Sequence, residues 1–238
     1  MVYRLLKNPC VVDVAWSIGI MMSGFIYFSA IPITPRNTVV SALLTLWALR
    51  LAGYLWYTRI RQGHLDKRYT ELSHHWTIHQ PLGFFLHFQG QGLLIFLISL
   101  VFYWISNSNN PYLTLMDDIS VVMVMVGIMG ESLADIQLYR FKTRHTGGVC
   151  NTGLWHYSRH PNYFFDWLTW LGFAFFACQS HNGYLGMASP LILYFIFTQI
   201  TGPITERGSV QSRGQQYRNY QKQTAMFFPG FKRKIDSE

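Results

Sequence analysis

Cysteine and charge are both scarce in this chain, and each scarcity removes a class of explanation. Only three cysteines occur, Cys10, Cys150 and Cys178. Their odd number and the lack of any C-x-x-C pair argue against a disulfide framework or a thiolate zinc site. Charged residues are 13% of the 238, against 50% hydrophobic and 17% aromatic, a balance that fits a membrane protein better than a soluble one. Acids are the scarcer sign, with 11 Asp and Glu against 19 Lys and Arg. The basic excess does not indicate nucleic acid as a partner, because it is dispersed through short loops between apolar runs and no nucleic-acid-binding motif accompanies it. The glycine-rich stretch 145–153 contains neither G-x-G-x-x-G nor G-x-x-x-x-G-K-[ST], so a soluble nucleotide-binding fold is not indicated.

What the chain has in quantity is apolar sequence. Six runs reach spanning length, at 11–31, 39–57, 84–105, 113–135, 162–179 and 184–201, since a membrane helix needs roughly 17–25 residues. The expected fold is an all-α polytopic bundle of about six transmembrane helices, six or seven, forming one domain over 1–238, with a C-terminal amphipathic cytoplasmic segment. The first run carries Asp13 near its start, is too long for a signal-peptide core and lacks a good cleavage site, so it is expected to be retained. Lys and Arg alternate across the runs. Arg4 and Lys7 precede the first, Arg59, Arg61, Lys67 and Arg68 follow the second, Arg140, Lys142, Arg144 and Arg159 lie between the fourth and fifth, and seven follow the sixth. The opposite loops hold only Arg36, which places both termini in the cytoplasm.

On that topology Asp13, Glu131, Asp135, Asp166 and Glu206 all fall near cytoplasmic helix ends. Carboxylates facing lipid would be penalised, so their convergence indicates a shared cavity and a functional site. The stretch 153–170, GLWHYSRHPNYFFDWLTW, concentrates the signal: Arg159, His160, Asn162 and Asp166 sit where a membrane helix begins, and Pro161 suits its first turn. Glu131 and Asp135 share a helical face and precede Arg140, Lys142 and Arg144, a pattern that also serves to cap a helix end. Arg50, inside the second run, either snorkels to the interface or lines the cavity. Arg213, Tyr217 and Tyr220 share one helical face, read either as an interfacial anchor or as a lid. His75 with His79, and His156 with His160, are four apart, but no third ligand is evident and no metal is expected.

These segments resemble a known family. Val12-Asp13-Val14-Ala15-Trp16, Ala134-Asp135-x-Gln137, GLWHYSRHPNYFFD and the closing pattern of Glu206, Tyr217, Tyr220 and Pro229 look like the steroid 5-alpha-reductase-like multi-pass membrane proteins, related to steroid 5-alpha-reductases and to sterol C14- and C7-reductases. The resemblance covers most of the chain. It implies NADPH held among the last spans, with Asp135, Asn162, Asp166, Glu206 and Tyr217 at matching positions, and reduction of a carbon–carbon double bond in a lipophilic steroid, sterol or isoprenoid-like substrate. To these cofactor-binding candidates we add Glu131, Arg144, Arg159, His160, Arg213 and Tyr220, with Arg144 and Arg159 for the pyrophosphate and 2′-phosphate. Phe165 stands where the motif usually has glycine, and the Gln-Glu pair of the steroid reductases is not found, so their catalytic residues do not carry across. Tyr54, Asp13 and Tyr69 are the proton-donor candidates, Tyr54 preferred because Arg50 lies one turn away.

The expected partners are a lipophilic small molecule and membrane lipids, in a cytoplasmic membrane of bacterial type. A second reading is methyl transfer from S-adenosylmethionine, since isoprenylcysteine and phospholipid methyltransferases carry a similar R-H-P-x-Y with a later Glu and Tyr. A third, a lipid-binding scaffold, leaves the converging acids unexplained.

Overall fold

The computed structural model describes residues 10–62 and 79–232, so Tyr69, His64, His74 and His75 lie outside the described residues. Every regular element among the described residues is helical. Helix α1 is Val11–Ser29, and α2, Pro35–Leu55, continues into a π-helical turn, Trp56–Arg61. Helix α3 is Gln80–Ser106, α4 is Leu115–Arg144, and a 3-10 turn, Gly153–His156, leads into α5, Pro161–Ala177. A last rod comprises a 3-10 turn Gly183–Met187, α6 Ala188–Phe195, a π-turn Ile196–Thr201 and α7 Gly202–Arg213, followed by α8, Gln215–Gln223. Five rods are long and apolar enough to cross a membrane: Val11–Ser29, Pro35–Arg61, Leu82–Ser106, Leu115–Arg144 and Gly183–Arg213. Helix α5, at 17 residues, is at the lower limit of spanning length.

The chain divides into two compact units, 1–118 with 173–189, and 119–172 with 190–238. In the first, α1 packs on α2 and α3 through glycines: a methyl at Gly24 would meet Leu44 and lie 3.3 Å from Phe102, and one at Gly19 would lie 3.1 Å from Ile95. Phe102 meets Phe173 edge to face at 5.2 Å. Thr34 caps α2, accepting from the Asn37 amide, and Pro35 occupies its first turn.

The position of Arg36 departs from the sequence reading, which put it in an exterior loop. It is 1% exposed. Its Nε donates to Asp117 Oδ1 at 3.0 Å, Nη1 to the Ile105 carbonyl at 3.3 Å and Nη2 to the Phe176 carbonyl at 2.6 Å. Asp117 also accepts from Gln179 Nε2 and from the Thr114 amide and hydroxyl, while the Thr114 hydroxyl accepts from the Asp117 amide, a reciprocal cap on α4. One cation thus neutralises Asp117 and satisfies carbonyls in the last turns of α3 and α5, where helix dipoles favour positive charge.

In the second unit, α4 runs antiparallel to α5. Gly127 faces Thr169 and the Phe165 carbonyl, Gly130 faces the Phe165 ring, and Gly172 faces Val124 and Ser120; a side chain at any of the three would collide. This register brings Asp135 beside Asn162. The sequence reading placed Glu131 and Asp135 near the end of the fourth span, either lining a shared cavity or capping the helix end. The helix instead continues to Arg144, so both acids are buried in its interior and Arg144 belongs to its last turn, not to a loop.

Candidate functional site in the C-terminal unit

The R-H-P turn is positioned by its own preceding residues. Gly153 adopts φ 60, and a Cβ there would lie 2.6 Å from the Gln137 side chain, so only glycine fits without strain. Gln137 Oε1 accepts from the Leu154 amide at 2.9 Å, and Trp155 Nε1 donates to the Ala134 carbonyl at 2.9 Å. The turn is thereby tied to α4 three and four residues before Ser158. Pro161 then opens α5, as its lack of an N–H predicts.

Glu206 is the centre of the charged cluster. Arg159 meets it through two parallel bonds, Nε to Oε1 at 2.6 Å and Nη2 to Oε2 at 3.1 Å. His160 Nε2 lies 3.2 Å from Oε1, and Gln221 Nε2 donates to Oε2 at 2.7 Å. Arg159 Nη1 donates further to the carbonyls of Gln221 at 3.0 Å and Thr224 at 2.7 Å. The guanidinium expected to hold a cofactor phosphate is therefore engaged by one carboxylate and two carbonyls. His160 stacks on Tyr163, and Tyr163 on Phe197, with ring centroids 5.0 and 4.8 Å apart.

The segment 215–230 is fastened to the turn along its length. Besides Arg159, the Ser158 hydroxyl lies 3.1 and 2.9 Å from the carbonyls of Met226 and Phe227, the Arg159 amide donates to Ala225, and the Gly230 amide to Tyr157. Tyr220 donates to the carbonyls of Trp155 and Ser158. Phe227 and Phe228 close over Phe164, Trp167 and Tyr194 in a group of edge-to-face rings. Tyr217 and Tyr220 are buried in the protein, so this face of α8 is not a lipid-facing anchor. Burial raises the pKa of both phenols above the usual tyrosine value, and Glu206 adds to the rise.

Beside this strap lies an open cleft of about 510 Å³ lined by Arg144, His145, Thr146, Gly147, Gly148 and Gln216. Arg213 is close enough to act electrostatically on Tyr217 and Cys150. Between α4 and α5, Asn162 Nδ2 reaches Asp135 Oδ1 at 3.5 Å, while Asn162 Oδ1 is buried with no hydrogen-bond partner among the described residues. Asp166 is half-buried one turn further along α5.

The structure thus brings Arg159, His160, Glu206 and Tyr220 into one network with Tyr217 at its edge, and Asp135 and Asn162 into another contact. Of the donor candidates in the first unit, Asp13 pairs with Arg59, and the Arg50 guanidinium lies 5.7 Å over the Tyr54 ring. Ser158 and Gln221 were missed by the sequence reading. Ser158 had a signal, its place immediately before R-H-P. Gln221 had none. Among the described residues no three His, Cys, Asp or Glu are grouped as a metal site would require.

Comparison with known proteins adds one finding. A family model described as a protein of unknown function (DUF1295) matches residues 1–224. Neither a curated protein nor a solved structure matches.

Proposed function

From the premise that the chain belongs to the DUF1295 family, we propose that it is a steroid 5-alpha-reductase-like, membrane-embedded reductase that uses NADPH to saturate a carbon–carbon double bond in a lipophilic substrate, with both termini cytoplasmic. The observation that carries this reading is the combination, within one unit, of an open basic cleft at Arg144 and buried polar groups inside helices of spanning length. Intramembrane ionisable groups are costly and are retained at functional sites.

The residues fit a dinucleotide in part. Arg144 and the glycines of the cleft suit a phosphate, because an exposed guanidinium can engage its oxygens and Gly147 and Gly148 carry no side chain to obstruct it. Arg159 does not suit it, since its bonds are spent on Glu206, Gln221 and Thr224. Asn162 Oδ1 is an acceptor of the kind a hydroxyl or amide N–H uses. The cofactor, when bound, supplies the hydride. The chain's own residues bind it, orient it and exclude water, and a phenol or carboxyl provides the proton.

Titration of the purified protein in detergent with NADPH and, separately, with S-adenosylmethionine tests the reading. Saturable binding of NADPH, with oxidation of it on addition of a lipophilic enone, is the expected result. Binding of S-adenosylmethionine without NADPH would replace the reductase by the methyltransferase.

A further inference from the structure

The strap ends in Phe227-Phe228-Pro229-Gly230-Phe231-Lys232, and its phenylalanines are divided between two environments. Phe227 is buried, whereas Phe228 is 51% and Phe231 92% exposed. Neither exposed ring belongs to a loose end. The Phe228 ring lies 6.0, 5.8 and 6.0 Å from those of Phe164, Trp167 and Tyr194, centroid to centroid. Phe231 meets Tyr157 edge to face at 6.4 Å, and the Gly230 amide donates to the Tyr157 carbonyl at 2.9 Å. Tyr157 and Tyr194 are themselves exposed.

These contacts set the strap's level along α5. Trp167 is six residues beyond Pro161, about 9 Å into the helix at roughly 1.5 Å per residue, and Tyr194 lies inside a rod long and apolar enough to cross a membrane. Tyr157 precedes the helix. From Phe228 to Phe231 the chain therefore climbs out past the start of α5, and Lys232 follows. In the sequence Arg233 and Lys234 come next, ahead of Asp236 and Glu238. The backbone below this climb is already satisfied by protein. The carbonyls of Thr224, Ala225, Met226 and Phe227 accept from the Arg159 side chain, the Arg159 amide and the Ser158 hydroxyl. Pro229 has no N–H, and the Gly230 amide is spent on Tyr157. Irregular backbone beside spanning helices needs its polar groups met in this way, because lipid offers them no partner.

We propose that residues 228–232 are an interfacial anchor whose partner is the phospholipid leaflet at the N-terminal end of α5, with Phe228 and Phe231 among the lipids and the Lys232 ammonium on their phosphates. The carrying observation is the order along the climb. An apolar ring beside spanning helices, then a ring beside an exposed tyrosine, then a lysine reproduces the sequence of hydrocarbon, interface and phosphate that a bilayer presents. The lysine supplies the charge that a phosphate layer complements. The anchor expected on the tyrosine face of α8 is thus relocated to the end of the strap, and it acts without any nucleotide.

The test places the photoreactive analogue p-benzoylphenylalanine at one position at a time in the full-length protein, in nanodiscs of mixed phosphatidylcholine and phosphatidylglycerol. It replaces Phe231 as the probe, Met129 on the exposed face of spanning α4 as the lipid-facing control, and Asn219 on the exposed polar face of α8 as the water-facing control. All three positions are exposed, so the analogue removes little packing, and thermal unfolding verifies the fold. Lipid adducts are expected at Phe231 and Met129 and not at Asn219. Phosphatidylglycerol should be enriched among the adducts at Phe231 by about fivefold over those at Met129, the factor that about 1 kcal/mol per lysine near an anionic surface provides. Lys232→Gln should remove that enrichment and Lys232→Arg retain it. Lipid adducts at Met129 with none at Phe231, or cross-links from Phe231 to a second copy of the chain in their place, would overturn the proposal. So would one lipid ratio at both positions whatever residue 232 is.

Discussion

Replacing Glu206 by glutamine separates a clasp from a cofactor contact. The substitution keeps the shape but removes the charge that answers Arg159, and it puts an amide NH₂ against either Arg159 or Gln221. Both charged side chains are about a tenth exposed, and breaking a pair so buried by removing one partner typically costs about 3–5 kcal/mol. Arg159 retains the carbonyls of Gln221 and Thr224, so the low end applies, about 3 kcal/mol. Together these bonds tie α7 and the R-H-P turn to each other and, through Gln221 and Thr224, to residues 215–230. The cost should therefore appear as local opening of that segment, by about a hundredfold.

Hydrogen exchange read peptide by peptide measures this directly. In Glu206→Gln the amides of 215–230 should exchange about a hundredfold faster while those of 119–135 stay unchanged. Arg159→Gln should do the same, and the double variant should cost less than the two single costs added, by roughly 0.5–3 kcal/mol of coupling. An increase below about threefold in the segment, or an equal increase in α4, would refute the clasp.

Arg144→Gln should weaken NADPH more than NADH by about tenfold or greater, the worth of one charge-assisted contact, whereas Arg159→Gln should weaken both equally; equilibrium titration with each nucleotide distinguishes them. Arg36→Met should destabilise the protein by about 3–5 kcal/mol, because Asp117 would stay buried without its cation, and Arg36→Met with Asp117→Leu should recover most of that; thermal unfolding in detergent checks the order. The raised phenol pKa values of Tyr217 and Tyr220 predict a loss of stability in alkali. The neutral phenols are favoured in the folded state, so the contribution is complete below the ordinary tyrosine value of about 10 and declines as pH rises through it. Exchange of 215–230 should rise above that pH in the parent, and less steeply in Tyr220→Phe, which cannot ionise.

The start of α5 at Pro161 and the helical class were legible because each follows from a residue type acting on its immediate neighbours. Helix length was less so. The hydropathy of α4 ends near Asp135, yet no glycine or proline interrupts 136–144 and the backbone continues to Arg144. Charge ended the apolar run, but charge does not end a helix. Arg36 was misplaced for a related reason: an arginine beside an apolar run is an interfacial cation unless something neutralises it, and two of its partners are the carbonyls of Ile105 and Phe176, which any residue there would offer. Carbonyls leave no mark in a sequence. The same holds for the clasp, where Arg159 and Ser158 fasten the C-terminal segment through Gln221, Thr224, Met226 and Phe227 backbone atoms. The π-turn Ile196–Thr201 is likewise invisible in a stretch whose composition suits any helix.

Motif residues can act at one remove from a ligand, and the R-H-P block illustrates how. Arg159 and His160 converge on Glu206, whose carboxylate is also met by Gln221, so the charges of this cluster are balanced by one another before any ligand arrives. A guanidinium so committed offers little to a phosphate, but it fixes where the strap lies. The strap carries Tyr217, and Gln216 on the wall of the open cleft. Loss of the clasp should therefore disturb nucleotide affinity through Gln216 and Tyr217 without discriminating between NADPH and NADH, while discrimination stays with Arg144. On the proposed reading, the arginine in the motif orders the wall, and the arginine outside it is the one left to meet a phosphate.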